Sequence, residues 1–329
     1  MAVSKDPDDP AIWVNQRSPS ASLVVGTNKV GALEGGGLYV YGLDGKIRQV
    51  ITGLDHPNNV DVEYGVRIGG RTYDIAVVTE RKQSRLRIFA FRPGSGTPLY
   101  DLAPKGLPVF SGEANEATEP MGIALYKRPR DGATFAIISR KTGPERNYLW
   151  QYRIVADRDG TPALQKVRRF GNFSGKEEVE AIAVDDALGY VYYADEEYGI
   201  RKWAADPDSP AANRELAVFA NRGFRGDHEG IAIYTRPDGT GYIFCTEQRE
   251  ADEGGSRYWV FKREGERGNR HDHRAVAVIE GGADETDGIE ITSRPLGAKW
   301  PRGLFVAMND RGKNFLLYRA ESVLPGNSR

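Results

Sequence analysis

The sequence is poor in the residues that build disulfide frameworks and zinc sites. Cys245 is its only cysteine, so a disulfide within the chain is excluded. The thiol lies in the apolar run 242–245, which predicts a core strand and a structural role, because no adjacent base could activate it. None of the four histidines has a zinc-motif spacing. The serine-hydrolase elbow Gly-x-Ser-x-Gly and the nucleotide-binding P-loop are also missing.

Net charge and long apolar runs are nearly absent as well. The 45 basic and 46 acidic side chains leave a formal charge of −1, so no general field draws the chain to nucleic acid or membranes. No stretch approaches the roughly 20 apolar residues of a membrane span, and residues 1–4 contain no apolar signal region. Any electrostatic function must therefore come from local segregation of charge.

Glycine, in contrast, is abundant, and one short phrase recurs six times. Glycine accounts for 39 of the 329 residues, which suits many tight turns. The plainest copy of the phrase spans residues 227–233. Self-similarity at about 40 to 50 residues, here stretched by loops, is typical of β-propellers. The aliphatic anchors of the six copies are Ile12, Val60, Ile123, Ile182, Ile231 and Ile289.

The segments between the anchors predict short strands. The fifth copy shows four of them, at 230–234, 242–246, 258–262 and 275–279. We therefore expect an all-β fold in which residues 1–329 form one six-bladed β-propeller domain of four-stranded antiparallel blades. Residues 1–11 show no hairpin partner of their own, so they are expected to close the ring by pairing with the last repeat. Residues 210–220 suggest a short surface helix.

Two sets of residues recur at matching points of the repeats. The residues two before each anchor are Pro10, Asn58, Met121, Glu180, Glu229 and Asp287. The polar pairs that end each second strand are Asn28-Lys29, Glu80-Arg81, Arg140-Lys141, Asp195-Glu196, Glu247-Gln248 and Asn309-Asp310. The start of a first strand and the end of its antiparallel partner share one edge, so both sets should face one end of the propeller.

This end of the propeller is here called the mouth. The arrangement predicts that the mouth is basic on one side and acidic on the other. Repeats one to three supply the bases, and repeats four to six supply the carboxylates. Hydration of strand ends explains any single one of these charges but not their sorting. Converging carboxylates require protons or cations, and an all-oxygen set fits Ca²⁺ better than zinc. Bases that face them fit an anion with many oxygens, and phosphate is the best match.

Several motifs resemble those of the calcium-dependent β-propeller phytases (alkaline phytases). The resemblance covers most of the chain, and the motifs follow the family's order. It implies a six-bladed propeller that removes phosphates from phytate with several Ca²⁺ ions. The most specific motifs are Asp8-Asp9-Pro10-Ala11-Ile12-Trp13, Thr27-Asn28-Lys29, Asn58-Asn59-Val60-Asp61, Glu180 with Asp185-Asp186, Ala194-Asp195-Glu196, Asp227-His228-Glu229-Gly230 and Glu285-Thr286-Asp287-Gly288-Ile289.

By position, the resemblance implies roles for individual residues. The expected substrate-binding residues are Lys29, Arg81, Lys141 and Asn314. The expected ligands of active-site calcium are Glu180, Glu196, Asp227, Glu229, Asp287, Asn309 and Asp310. Asp9 and the carbonyls of Pro10 and Val60 match a structural calcium site. The chain departs from the family at Met121, which replaces a phosphate-contacting tyrosine, and in shorter loops before Asp287 and at 310–313.

These observations predict a calcium-dependent phosphomonoesterase, a 3-phytase-like enzyme that hydrolyses myo-inositol hexakisphosphate by attack of metal-activated water. Lys29, Arg81 and Lys141 would hold the scissile phosphate, and either Glu180 or Glu229 would assist as base. One alternative is another calcium propeller hydrolase, such as a lactonase, which explains the acids but not the bases. The other is a non-catalytic propeller that binds a protein or glycan, which explains the fold alone.

The expected partners follow from this interpretation. The substrate, phytate or another phosphomonoester, should arrive as a calcium complex at a monomeric protein. Neither nucleic acid nor a membrane is an expected partner. We expect a secreted or periplasmic location with the signal segment absent from this sequence, and a cytoplasmic location stays open.

Overall fold

Short alternating apolar runs separated by tight turns fold into antiparallel hairpins, and the hairpins form six β-sheets. A computed structural model describes residues 1–326. Its helical elements in this range are 3₁₀ segments of three or four residues, and none is long or apolar enough to cross a membrane. The chain is a six-bladed all-β propeller, as the repeats predict.

The first three sheets, here called blades one to three, run from the innermost to the outermost strand in chain order. Blade one contains β1 (Pro7–Trp13), β2 (Leu23–Asn28), β3 (Gly37–Gly42) and β4 (Ile47–Thr52). Blade two contains β5 (Pro57–Ile68), β6 (Arg71–Glu80), β7 (Arg85–Phe91) and β8 (Leu99–Asp101), with β9 (Leu107–Pro108) also paired to β7. Blade three contains β10 (Pro120–Lys127), β11 (Thr134–Arg140), β12 (Arg146–Ala156) and β13 (Pro162–Asn172).

Blades four to six repeat the pattern. Blade four contains β14 (Ile182–Asp185), β15 (Tyr190–Asp195), β16 (Gly199–Ala204) and β17 (Ala217–Phe219). Blade five contains β18 (His228–Thr235), β19 (Gly241–Glu247), β20 (Arg257–Lys262) and β21 (Ala275–Glu280). Blade six contributes β22 (Ile289–Thr292), β23 (Leu304–Asn309) and β24 (Asn314–Arg319).

The first residues of the N-terminal segment close the ring, and the rest of the segment belongs to blade one. Ala2 bridges Asn314, and the Val3 N–H donates to the Lys313 carbonyl at 2.9 Å, so this segment adds a fourth strand to blade six. The expectation of closure is therefore confirmed. The expectation that residues 1–11 lack a hairpin partner is wrong, because β1 pairs with β2 inside blade one.

A second correction concerns residues 210–220, which form turns followed by β17 rather than a helix. The Leu216 N–H donates to the Lys202 carbonyl at 2.8 Å, and Lys202 pairs with Ala217. Pairing with the free edge of β16 satisfies the backbone of this segment, and that tertiary contact overrides local propensity.

The core lies between neighbouring blades, where large side chains interdigitate. Between blades three and four, Tyr148, Phe170 and Trp203 belong to one buried cluster, and Phe170 meets Trp203 edge-on at 5.7 Å. Full burial of such a side chain stabilises the fold by roughly 1.5–3 kcal/mol. Cys245 is a free, fully buried thiol, as its apolar run predicts.

Candidate active site

A recurring backbone contact places one residue of each blade at the same point of the mouth. The residue that follows each second strand donates its N–H to a carbonyl just before the innermost strand, at 2.8 to 3.2 Å. This contact aligns the six blades without reference to side chains. The six residues so placed are Lys29, Arg81, Lys141, Glu196, Gln248 and Asp310. At this point blades one to three therefore place three bases, and blades four to six place two carboxylates and one amide.

An extra residue in the innermost strand defines a second set of mouth positions. In blade two, Pro57 pairs with Glu80 but Val60 pairs with Val78, so three steps on one strand match two on the other. Blades one, three and five have the same β-bulge. The Asn59 N–H donates to the Thr79 hydroxyl at 3.0 Å within the bulge. The equivalent mouth residues are Asp8, Asn58, Met121, Glu180, Glu229 and Asp287.

This register corrects the sequence alignment of blade one. Pro10 pairs with Gly26 just past the bulge, as Val60 pairs with Val78, so Pro10 is the true counterpart of the anchors. Asp8 therefore occupies the mouth position that the sequence alignment assigned to Pro10. The alignment was wrong by two residues, because a shift of two along a strand preserves the alternation of inward and outward side chains and Pro10 does not look like an aliphatic anchor.

Each of the three bases contacts a carboxylate in the mouth. Lys29 forms an ion pair with Asp8, and Lys141 forms one with Glu178. Arg81 Nε lies 3.1 Å from Glu119 Oε2, which Lys82 also contacts. Sequence reasoning gave these three carboxylates no role, although Glu119 directly precedes β10 and Glu178 lies shortly before β14.

The acidic side holds carboxylates that lack hydrogen-bond donors. Glu229 Oε2 and Glu196 Oε1 are buried and have no hydrogen-bond partner among the described residues. Burial, reinforced by Glu180 and Asp227, raises the pKa of Glu196 to about 9. Burial and the neighbouring Glu196, Glu180 and Asp287 raise the pKa of Glu229 well above its usual range. The carboxylates of blades four, five and six therefore lie near enough to one another for each to raise the pKa of its neighbours.

The basic and acidic sides meet at Lys29. Its Nζ lies 3.9 Å from Asp287 Oδ2, and Asp287 Oδ1 accepts a hydrogen bond from Gln248 Nε2 at 2.5 Å. Although burial opposes it, Asp8, Glu180 and Asp287 raise the pKa of Lys29 well above its usual range. Lys29 is therefore charged in the mouth at neutral pH. Gln248 is a further mouth residue to which sequence reasoning gave no role.

The predicted structural-calcium residues lie together in the channel along the propeller axis. Asp9, Pro10 and Val60 line a cavity of about 130 Å³ together with Asp61 and Glu290. Asp9 Oδ2 accepts a hydrogen bond from the Val60 N–H at 2.9 Å. Burial raises the pKa of Asp9 well above its usual range, and the charges of Asp8, Glu290 and Asp61 raise it further.

The remaining predicted residues lie at the edges of the mouth. Asn314 bonds Asn309 at 3.1 Å across the β23–β24 turn, and neither contacts the three bases. Asp310 pairs with Lys313. Asp227 is half-buried, and burial raises its pKa. Met121 is fully buried, and its thioether side chain has no hydrogen-bond donor to offer the mouth.

The donor chemistry of the acidic side fits a hard cation. Within residues 1–326, no three acidic, histidine or cysteine side chains already stand close enough together to hold a metal ion. The orphaned buried oxygens of Glu196 and Glu229 nevertheless lack the positive partner that buried carboxylates require. Carboxylate oxygens without thiolate or imidazole ligands suit calcium. The residues present therefore fit calcium in chemistry.

Comparison with known proteins decides the family. Residues 2–315 match the family model described as Phytase. The chain belongs to the phytase family. It is 30% identical over 311 residues to the 3-phytase of Bacillus subtilis (strain 168), covering 92% of this chain and 74% of that enzyme. Membership of this phytase family identifies a phosphoric monoester hydrolase.

Solved structures that resemble this phytase-family chain support the fold alone. A periplasmic gluconolactonase from Pseudomonas aeruginosa aligns with a TM-score of 0.56 and 15% identity, covering 97% of this chain and 82% of the other. A putative 6-phosphogluconolactonase from Bacteroides uniformis aligns with a TM-score of 0.55 and 13% identity, covering 94% and 80%. At such low identity the shared propeller carries no information on substrate.

Proposed function

We propose that this member of the phytase family is a calcium-dependent phytase that acts on myo-inositol hexakisphosphate as its calcium complex. The observation that supports the proposal is the sorting of equivalent mouth positions into the bases Lys29, Arg81 and Lys141 on blades one to three and Glu196, Gln248 and Asp310, which carry no positive charge, on blades four to six. A lactonase needs no such row of bases. A mouth lined by charge also gives no support to an apolar recognition module.

In this proposal the three bases bind and orient the scissile phosphate. Lys29, Arg81 and Lys141 donate hydrogen bonds to its oxygens and stabilise the charge that builds up on them in the transition state. Glu119 and Glu178 hold Arg81 and Lys141 in place before substrate arrives. Pre-positioned donors stabilise the transition state without reorganising during the reaction.

The carboxylates of the acidic side would hold the metal. The proposed ligands are Glu180, Glu196, Asp227, Glu229 and Asp287, with Asp8 added by the corrected register. Bound calcium would neutralise phosphate charge and lower the pKa of the attacking water. Either Glu180 or Glu229 would accept the proton of that water. A structural site at Asp9 and the Pro10 and Val60 carbonyls would join blades one and two.

The deciding experiment measures phosphate release from phytate with calcium and with chelator, while circular dichroism follows folding. Release that requires calcium in a protein that stays folded is the expected result. Parallel assays with an aldonolactone test the lactonase alternative. Lactone hydrolysis without phosphate release would overturn the proposal, as would full phosphatase activity in chelator.

A further inference from the structure

A groove at the end of the propeller opposite the mouth has a basic corner that the proposed reaction does not use. The groove has a volume of about 580 Å³. Its walls come from the end of β10, the β14–β15 turn and the β16–β17 loop, and His271 of blade five completes it. In each blade the innermost strand starts at the mouth, so these segments lie at the other end of the ring.

One end of the groove has no excess of positive charge, because two arginines face three aspartates there. Arg128 Nη1 lies 3.1 Å from Asp206 and 2.6 Å from Asp208, and Arg130 contacts the same two carboxylates at 2.6 and 2.8 Å. Arg128 also pairs with Asp131 at 2.6 Å. These arginines therefore have their charges compensated, and this end of the groove holds no surplus positive charge for an anion.

The other end carries basic groups without counter-ions. Arg214 lines the groove, and Arg270 precedes His271 at its rim. Neither guanidinium has an ion pair or hydrogen bond within residues 1–326, although both act on the pKa of His271. Burial, with the charges of Lys202, Arg270 and Arg214, lowers that pKa. His271 Nδ1 is buried and has no hydrogen-bond partner within the same range.

A fourth basic group, Lys202, lies behind this corner, and burial lowers its pKa to about 7, so its charge at neutral pH is only partial. Lys202 is fully buried, and its Nζ lies 2.6 Å from the Arg270 carbonyl and 4.0 Å from the centre of the Tyr190 ring. The Tyr190 ring in turn meets the imidazole of His271 edge-on at 5.6 Å. Tyr190 thus forms a rigid wall between Lys202 and the groove, and it orients the imidazole.

Nearby carboxylates do not cancel this positive charge. Glu215 is bound to Arg201 at 2.9 Å, and Asp272 is bound to Arg274 at 3.1 Å. Asp186 accepts the Lys127 N–H at 3.0 Å. Burial raises the pKa of Asp186 to about 7, and it shares a hydrogen bond with Glu63, so its charge at neutral pH is only partial.

From this geometry we propose that the corner formed by Arg214, Arg270 and His271 is a second anion site, which binds a phosphate group. Two guanidinium groups supply planar forks of N–H donors that match phosphate oxygens, and His271 supplies a third contact. The groove is wide enough for either free phosphate or a small phosphate ester. The site is independent of the proposed catalytic mouth, since no residue belongs to both.

The test follows the four histidine rings by NMR while inorganic phosphate is added to the intact protein at constant ionic strength, which keeps screening constant. His271 lies at the site, whereas His56 lies near the mouth. Saturable movement of the His271 signal is the expected result. The double variant Arg214→Ala/Arg270→Ala should weaken phosphate binding at His271 at least tenfold. Arg319→Ala, an exposed arginine on blade six, is the matched control and should leave it unchanged.

Two further arms separate the sources of the phosphate group. Glycerol phosphate in place of inorganic phosphate shows whether esters bind, and sodium sulfate shows whether any tetrahedral dianion suffices. Binding of either phosphate source that is weakened in the double variant supports the proposal. The proposal is overturned if the NMR signal of His271 does not shift in any of the titrations. It is also overturned if the double variant binds phosphate as tightly as the wild type. Circular dichroism of the double variant confirms that lost binding does not reflect unfolding.

Discussion

At the scale of single residues, the mouth works through the contrast between paired bases and orphaned acids. Arg81 and Lys141 each have a carboxylate partner, whereas Glu196 and Glu229 each keep an oxygen without a donor. A cation would give the orphaned oxygens of Glu196 and Glu229 the positive partner that they lack. The substrate and the metal are therefore expected to bind cooperatively, because a bound cation would attract the phosphate beside it.

The first prediction concerns Arg81. Arg81→Ala should lower kcat/KM for phytate by roughly 30- to 1000-fold, because one lost contact to a developing oxyanion costs about 2–4 kcal/mol in the barrier. Its stability should change by less than about 0.5 kcal/mol, as is usual for a surface position. Steady-state kinetics and urea unfolding measure the two effects.

The control is Arg71→Ala, which removes an exposed arginine from the other end of the same strand, β6. It should leave turnover unchanged. If Arg81→Ala hydrolysed phytate with the kinetics of the wild type, Arg81 would have no part in the mechanism.

The second prediction concerns Glu229. Glu229→Gln keeps the shape of the side chain but removes one charge from the proposed metal site, so the calcium titration of phytate hydrolysis should move to higher concentration or reach no plateau. Glu280→Gln, an exposed change in the outermost strand of blade five, should leave the titration in place. Coincident curves for wild type and Glu229→Gln would contradict a ligand role for Glu229.

At the scale of elements, the end of each second strand is built so that its two polar residues take different directions. Glu80, Asp195 and Glu247 turn into their blades and bind the third-strand arginines Arg85, Arg201 and Arg257 at 2.6 to 2.7 Å. The next residue, such as Arg81 or Glu196, then faces the mouth. One member of each polar pair is structural, and the other is free for chemistry.

The third prediction concerns ring closure. Val3→Pro removes the N–H that bonds the Lys313 carbonyl, so it should lower the free energy of unfolding by roughly 1–3 kcal/mol more than Val3→Ala does. Val3→Ala is the matched control because it shortens the same buried side chain but keeps the N–H. Urea unfolding measures both. Equal stabilities would mean that this hydrogen bond contributes nothing to closure.

At the scale of the whole molecule, carboxylates from blades one, two and six line the axial channel. The fourth prediction concerns calcium and stability. Calcium bound at Asp9 and Val60 should raise the melting temperature, since a ligand at 100 times its Kd stabilises the native state by about 2.7 kcal/mol. Asp9→Asn should reduce this shift, whereas Asp44→Asn in an exposed turn should not. A melting temperature that stays the same after calcium is removed with a chelator would contradict a calcium site at Asp9 and Val60.

The fifth prediction concerns pH. Burial and the nearby Asp186 raise the pKa of Glu63 from 4.5 to about 8. Between these values the folded state holds a proton that the unfolded state has lost, so the free energy of unfolding should fall as pH rises from about 4.5 to 8. Glu63→Gln should flatten this part of the profile, and the exposed Glu145→Gln should not. An unchanged slope in Glu63→Gln would show that Glu63 titrates normally.

The amino-acid sequence alone determined the number of blades, the all-β class and the sorting of charge. These features depend on local periodicity and on the order of repeats, which survive in one dimension. The three bases and the carboxylates from Glu180 to Asp287 lie at the end of the propeller that strand direction predicts. The basic groove around Arg214 and His271 left no such repeating signal.

Only the tertiary structure decided the register of blade one and the partners of the charged groups. The register that puts Asp8 rather than Pro10 at the mouth differs from the sequence alignment by two residues, and a shift of two leaves the apolar alternation unchanged. The pairing of Arg81 with Glu119 joins residues 38 positions apart on neighbouring blades. Such contacts are fixed by how blades pack around the axis, and the spacing of residues along one strand cannot specify them.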